Sequence, residues 1–294
     1  MSATSIGFIG LGMMGVPMAT NLLAAGHAVA GFDVQPNAGA TLRDHASFTR
    51  VAAAHDIAGA GDVVIFMLPD SGIVDRLLWD DGFASHMRSG ALLIDMGSSD
   101  PLHSQANAAK LAALGLRFVD APVSGGVKRA VSGTLAIMMG GDAAHVDAAR
   151  PLLSSLGKTL VHVGPAGAGH AVKALNNYVS AAGLLAVCEA LTAAEKFGID
   201  PKVVNQVMDA STGKNNTTEN KVVPFMLSGA FNSGFALSLM RKDLETAAGF
   251  IDQMRAPGDF AHACVARWRE ADAALGAGAD HTAMYAHVQQ HKGA

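Results

Sequence analysis

The chain has 294 residues, half of them hydrophobic and only 5% aromatic, with a mean hydropathy of +0.28. That length means one large domain or two ordinary ones, with a core that needs no disulfide staples. A net charge of -4 with no basic block argues against nucleic acid and anionic membrane as partners.

The remaining totals are consistent with a compact, helix-rich chain. Its Ala-, Val-, Leu- and Met-rich composition suits close helix packing and leaves apolar surface for a subunit interface. The two cysteines, Cys188 and Cys264, lie in helix-like sequence with no metal-type neighbour. Buried thiols in a reducing, cytoplasmic setting are expected, with neither a disulfide framework nor a metal site.

Ser5–Gly10 reads as a first strand. The early apolar run lacks a positive leader and is broken by glycines, so a strand and turn fit it better than a signal peptide. The turn is Gly10-Leu11-Gly12-Met13-Met14-Gly15, between that strand and a predicted helix at Met14–Ala25. In this context Gly10 permits the tight turn, Gly12 the approach of a pyrophosphate and Gly15 close helix packing. The helix N-terminus offers N–H groups and partial positive charge to phosphates.

A second strand, Ala28–Asp33, ends in Asp33, 18 residues after Gly15. A carboxylate there accepts hydrogen bonds from adenosine ribose hydroxyls and repels a 2′-phosphate, so NAD is expected and NADP is disfavoured. Further strands are predicted at Asp62–Leu68, Ala91–Asp95, Arg117–Asp120, Leu135–Gly140 and Leu160–Val163. Helices between them are predicted near Ile73–Leu78, Pro101–Leu114 and Ala143–Leu156. Apolar runs alternating with helices argue for a doubly wound α/β sheet. Its strand ends at Leu68-Pro69 and at Asp95–Ser99 face the cofactor crevice in that fold. Leu68 beside a nicotinamide and Ser98 bonded to it fit this position, as does an ordinary loop.

The segment Asp120-Ala121-Pro122-Val123-Ser124-Gly125-Gly126 exposes backbone N–H groups and the Ser124 hydroxyl after a strand. A carboxylate-holding loop and a plain glycine turn both fit it. After Val163 the pattern changes. A Gly-rich stretch leads into a single helical run, about Ala168 to Phe197, closed by Gly198 and followed by Asp200-Pro201. Its Ala-rich portion from Ala171 to Ala194 carries Lys173, Asn176, Asn177 and Glu189, which suits a buried helix better than a membrane span. Lys173, Asn176 and Asn177 stand at i, i+3 and i+4, on one helix face. A lysine in apolar surroundings has a lowered pKa suited to proton transfer; a solvated lysine fits the spacing equally.

Helices are predicted at Pro201–Ser211, Leu239–Met254, Asp259–Ala274 and His281–Gln290, with no strand-like alternation. Residues 1–163 therefore read as a dinucleotide-binding domain and 164–294 as a helical domain. Lys242 and Asp243 are placed at the opening of a helix, where they either reach a nicotinamide or serve as surface charge and cap. The Asp120–Gly126 loop, the Lys173 face and the Lys242–Asp243 pair are expected to meet at the domain junction.

Four segments in this order resemble the β-hydroxyacid dehydrogenase family over essentially the whole chain. They are Phe8 through Ala19, Asp120 through Gly126, Gly164 through Gly169 with Lys173 and Asn176-Asn177, and Gly234-Phe235 with Lys242-Asp243-Leu244. The resemblance implies a Rossmann domain joined by a long helix to an all-α domain, and assembly as a homodimer or homotetramer. It implies Lys173 as general acid/base, with Asn177 and Asn176 positioning substrate. Ser124, Gly125 and Gly126 would bind the substrate carboxylate, and Ser98 and Lys242 would contact the cofactor.

The polar segment from Ser211 to Asn220 reads as a loop. Lys214 and Asn215 are expected either to border the substrate pocket or to be solvated. The expected substrate is a small hydroxy acid such as 3-hydroxyisobutyrate, with tartronate semialdehyde/glycerate or threonate as alternatives. A catalytically silent NAD-binding module is a reading of another class, opposed by Lys173. A 6-phosphogluconate dehydrogenase type lacks its basic phosphate-binding set here.

Overall fold

The computed structural model describes residues 4–59 and 61–290. The chain divides into two compact units, and the division falls between Lys173 and Ala174.

The first unit is built on a nine-stranded sheet. Its strands are β1 (Ser5–Ile9), β2 (Ala28–Phe32), β3 (Phe48–Arg50), β4 (Val63–Phe66), β5 (Leu92–Asp95), β6 (Arg117–Asp120), β7 (Val123–Ser124), β8 (Leu135–Gly140) and β9 (Gly157–Gly164). The order is β3-β2-β1-β4-β5-β6-β8-β7, with β9 also beside β8. Strands β3 through β6 in that order pair in parallel. β8 runs antiparallel to β6 through Asp120 and Gly140. The chain reverses direction of winding between β1 and β4, and a doubly wound sheet opens its ligand crevice at the carboxyl ends there.

The central strands are apolar on both faces because helices cover both. Ile6, Phe8, Ile65, Leu92 and Ile94 share one core with Met18, Leu22, Val146 and Leu153 from the helices Gly15–Ala24 and Ala143–Leu153. Ile9, Val64, Phe66 and Leu93 point to the other face and pack with Ile57, Val74, Phe83 and Leu111. Alternate residues of each strand thus enter different cores.

Several elements differ from expectation. The strand placed at Leu160–Val163 starts earlier, at Gly157, where a Cβ would come within 2.5 Å of the Leu135 carbonyl. Strands β3 and β7 have three and two residues, too few for alternation to register. The helix expected at Ile73–Leu78 starts at Ser71, capped by Asp70, and continues from Arg76 to Asp80 as a π-type turn. Three short helices, His55–Ala58, Phe83–His86 and Gly126–Val131, had no periodic signature.

The helix Ala168–Phe197 has 30 residues, about 45 Å at 1.5 Å per residue. By length and composition it could cross a membrane. Its apolar side is instead the spine of the second unit's core: Ala181, Leu184, Val187, Cys188 and Leu191 pack with Val222, Leu244, Cys264 and the fully buried Trp268. The helix stops at Gly198, which takes a φ of +95°, and the Gly198 and Ile199 N–H groups close back on Glu195 and Ala194. Asp200 then caps Pro201–Asp209 through the Lys202 N–H.

Among the described residues the second unit is helical apart from a single bridge between Ala236 and Asp280. Two readings there are corrected. Lys242 and Asp243 do not open a helix: it begins at Leu237, which places them in its second turn. The polar segment after Ser211 is not all loop. Asn215 caps the short helix Asn216–Asn220, its side chain accepting the Thr217 and Thr218 N–H groups while Thr218 returns a bond to the Asn215 N–H.

Candidate active site

The turn after β1 is shaped by its glycines. Gly10 has a φ of +102°, and a Cβ there would lie 2.3 Å from the Met67 carbonyl; one on Gly15 would lie 1.9 Å from the Gly10 carbonyl. Gly12 is different: a Cβ would meet nothing within 4 Å. Two glycines are demanded by the protein's own packing, and the third leaves open room above the turn. Leu11 is buried, Met13 is exposed, and the helix from Gly15 has no side-chain cap. Free N–H groups beside an open approach fit a dinucleotide pyrophosphate.

Asp33, just past β2, ties this turn to the next loop. Its Oδ2 accepts the Leu11 N–H at 2.7 Å and its Oδ1 accepts the Gln35 N–H at 2.8 Å. The side chain is half-buried, so the carboxylate is both the strand-end brace and a surface group available to ribose hydroxyls. Arg50 of β3 was not legible as part of this region. Its guanidinium donates to the carbonyls of Asp33 (2.6 Å), Gln35 (3.2 Å) and Ala38 (2.9 Å) and lies 6.0 Å from the Phe32 ring centroid. Three of the five guanidinium N–H groups are thus committed to the loop carbonyls.

Leu68 and Pro69 follow β4, and Ser98 follows β5; Leu68 and Ser98 are half-buried and Pro69 is exposed. The Ser98 loop is shaped by Asp95, which accepts the Gly97 N–H at 3.0 Å and the Ser99 hydroxyl at 2.8 Å.

The expected substrate loop lies beside the expected acid/base. Lys173 Nζ donates to the Val123 carbonyl at 3.0 Å. Ser124 follows in β7, and Gly125 and Gly126 are exposed, with φ of +131° and +63°. A Cβ on Gly126 would meet nothing within 4 Å, whereas one on Gly125 would strike the Arg129 side chain at 2.4 Å. Lys173 as a residue is half-buried.

Within the second unit, Asn177 Nδ2 donates to Asp243 Oδ2 at 2.6 Å and Asn176 Nδ2 to Asn177 Oδ1 at 3.3 Å. Asp243 is buried, with Lys242 Nζ 3.5 Å from its Oδ1. Lys214 is exposed and paired with Glu219 at 3.2 Å. The Asn215 side chain is engaged in the helix cap. Among the described residues no three His, Cys, Asp or Glu side chains converge as metal ligands.

Two family models match the chain in succession. Residues 5–164 match the NAD binding domain of 6-phosphogluconate dehydrogenase, and residues 167–288 match the NAD-binding region of NADP-dependent 3-hydroxyisobutyrate dehydrogenase. A 3-hydroxyisobutyrate dehydrogenase of Pseudomonas aeruginosa is 40% identical over 83% of this chain and 84% of its own. An NAD-dependent L-serine dehydrogenase of the same organism is 39% identical over 82% and 83%. A solved structure of Mycobacterium tuberculosis 3-hydroxyisobutyrate dehydrogenase with L-serine superposes with a TM-score of 0.90, at 33% identity over 98% of this chain and 100% of that one. The glycine turn, the acid after β2 and these matches agree: the chain belongs to the β-hydroxyacid dehydrogenase family and is an NAD-dependent dehydrogenase acting on a CH–OH group.

Proposed function

We propose that the chain interconverts a small 3-hydroxy acid, 3-hydroxyisobutyrate or a near analogue, and its semialdehyde, with Lys173 as general acid/base. The observation that carries this reading is the bond from Lys173 to the Val123 carbonyl, at 3.0 Å. It sets an amine one residue from the Ser124-Gly125-Gly126 loop. In this reading the Ser124 hydroxyl and the N–H groups of Gly125 and Gly126 hold the substrate carboxylate.

Gly10–Gly15 would hold the pyrophosphate of NAD and Asp33 its ribose, and the bound cofactor would supply the hydride acceptor. Leu68, Pro69 and Ser98 line the nicotinamide end in this reading, with Lys242 and Asp243 as further cofactor contacts. The neutral amine of Lys173 takes the proton of the substrate hydroxyl as the adjacent carbon gives up its hydride, leaving an aldehyde. In the reverse direction the ammonium returns that proton to the forming alkoxide. Asn177, held by Asp243, and Asn176 orient the substrate, while Lys214 and Asn215 influence which side chain is accepted.

L-Serine is the second substrate, favoured by the similarity to the L-serine dehydrogenase. It presents the same hydroxymethyl group on the carbon that bears its carboxylate. A cytoplasmic homodimer or homotetramer completes the reading, supported by the exposed apolar side chains Phe197, Val203 and Val207; light scattering tests it.

The deciding experiment follows NADH formation with 3-hydroxyisobutyrate, L-serine, glycerate and threonate, with Lys173→Ala beside the wild type. Turnover of one acid that falls by about 10²–10⁴-fold in the variant, with NAD still bound, is the expected result. NAD binding without turnover of any acid would return the silent-module reading.

A further inference from the structure

Two carboxylates at the ends of β5 and β6 take no part in the chemistry above. Asp95 is 1% exposed and Asp120 wholly buried. Removed from water, each needs fixed donors. Asp120 Oδ1 accepts the Gly167 N–H at 2.8 Å and Oδ2 the His170 N–H at 3.0 Å. Asp95 takes the Gly97 N–H and the Ser99 hydroxyl, which bracket Ser98.

The His170 imidazole, also buried, lies between the two. Its Nε2 is 3.9 Å from Asp95 Oδ2 and its Nδ1 is 3.7 Å from Asp120 Oδ2. Nδ1 also lies 2.8 Å from the Ser104 hydroxyl. Space around the group is set by backbone. A Cβ on Gly140 would lie 2.5 Å from Asp120 Oδ1, and one on Gly169 would lie 2.5 Å from the Met138 carbonyl.

This cluster touches both ends of the proposed chemistry. His170 is three residues before Lys173 on one helix, and Asp120 is three residues before Val123, whose carbonyl receives the Lys173 amine. Asp95 shapes the loop that carries Ser98. Buried ion pairs add little net stability over well-packed apolar groups, so stability alone is a poor account of three ionisable side chains here. Asp120 bonds the turn before the helix and Asp95 bonds the Ser98 loop, with the His170 ring within 4 Å of both carboxylates; apolar groups supply no such directional bonds.

We propose that Asp95, Asp120 and His170 are positioning residues that lock the start of the Lys173 helix in register with the Ser98 loop. The proposal rests on Lys173 being the acid/base. Asp120→Asn places an amide NH2 where a carboxylate oxygen faces a backbone N–H, and His170→Ala removes the imidazole that stands 3.9 Å from Asp95.

The test measures kcat and KM with 3-hydroxyisobutyrate, NAD affinity by fluorescence, and thermal stability for both variants. In each, kcat falls by up to about 10²-fold, the cost of misplacing a reacting group by an ångström, while KM and NAD affinity stay near wild type. His170→Gln, which returns a polar nitrogen towards Asp95, recovers part of the kcat lost in His170→Ala at equal thermal stability. Folded variants with wild-type kcat would overturn the proposal, as would losses that track thermal stability with no rescue by Gln.

Ser104→Ala removes the Nδ1 partner together with a 3.1 Å bond to the Asp100 carbonyl in the same helix, and serves if the other variants do not fold: lowered kcat at constant KM supports the node, and unchanged kcat overturns it. If the wild type turns over none of the acids, the proposed function fails instead. Hydrogen exchange at the Gly167 and His170 amides of Asp120→Asn then tests the node alone, where faster exchange confined to this turn is expected and unchanged exchange overturns it.

Discussion

The Lys173 ammonium or amine and the Val123 carbonyl meet at 3.0 Å, which joins the first turns of the long helix to the loop that follows β6. The adjoining Gly126 has a φ of +63° with no neighbour within 4 Å of a built Cβ. Gly126→Ala therefore meets backbone strain of about 1–2 kcal/mol and no clash inside the protein. Its methyl projects into the space assigned to the substrate carboxylate. The expected outcome in steady-state kinetics is a raised KM for the acid with little change in NAD affinity. An unchanged KM would remove Gly126 from the substrate site.

The glycines of the first turn separate packing from binding. Gly15→Ala drives a Cβ to 1.9 Å from the Gly10 carbonyl, and overpacking of this kind costs about 1–3 kcal/mol or more. Gly12→Ala meets nothing, so its stability should stay within about 0.5 kcal/mol of wild type. Thermal denaturation and NAD titration together check this. Gly15→Ala should lower the melting temperature, and Gly12→Ala should keep it while losing NAD.

Arg50 acts on the ribose loop from beneath. Its donors hold the carbonyls of Asp33, Gln35 and Ala38. Arg50→Met leaves these carbonyls unpaired and loosens the loop behind the Asp33 carboxylate. A loss of about 1.4 kcal/mol there is roughly tenfold in NAD affinity. The expected kinetic signature is a raised KM for NAD with kcat nearly unchanged; a fall in kcat at constant KM would contradict it.

The second unit contains a cluster whose ionisation links folding to pH. Burial, reinforced by nearby Lys221, pushes His281 down to about 4, against the pull of Asp280. Burial pushes Asp280 up, but bonds from Thr282 and Ser233, with His281 nearby, outweigh it and hold the carboxyl at about 2. Burial also lowers Lys221 to about 8.

For His281 the unfolded chain binds a proton between about pH 6.5 and 4 and the folded chain does not, so stability falls as pH falls through that window. Asp280 adds a further loss between about pH 4 and 2. Lys221 has the same slope between about pH 8 and 10.5, where rising pH relieves its cost. Urea denaturation at pH 6.5 and 4.5 should show a loss of about 2–3 kcal/mol from His281 in the wild type. The loss should shrink in His281→Gln. An equal loss in both proteins would assign the transition to other groups.

Much of the architecture could be read from local pattern. The apolar runs at Ser5–Ile9, Val63–Phe66 and Leu92–Asp95 are long enough to register, and both their faces are buried, so alternation with helices identified the doubly wound sheet. The C-terminal end of the long helix was set by Gly198, and the start of the next helix by Asp200-Pro201, whose capping chemistry is local. The start of the Leu237–Gln253 helix was not marked this way: no side chain caps it at Ala236, and it was placed two residues late. Strand β3 escaped because three residues carry no period, and Arg50 escaped with it.

By itself the sequence determined the dinucleotide turn, the acid that follows β2, the Asp120–Gly126 loop and the lysine helix, because each rests on residues close in the chain with fixed backbone needs. Only the tertiary structure decided that Lys173 is bonded to Val123, that Asn177 is committed to Asp243, and that Asp95, Asp120 and His170 share one buried cluster. Those pairings join residues separated by 50, 66 and 50 positions or comparable spans. Partners so far apart are selected by strand order and helix packing, which no local spacing encodes.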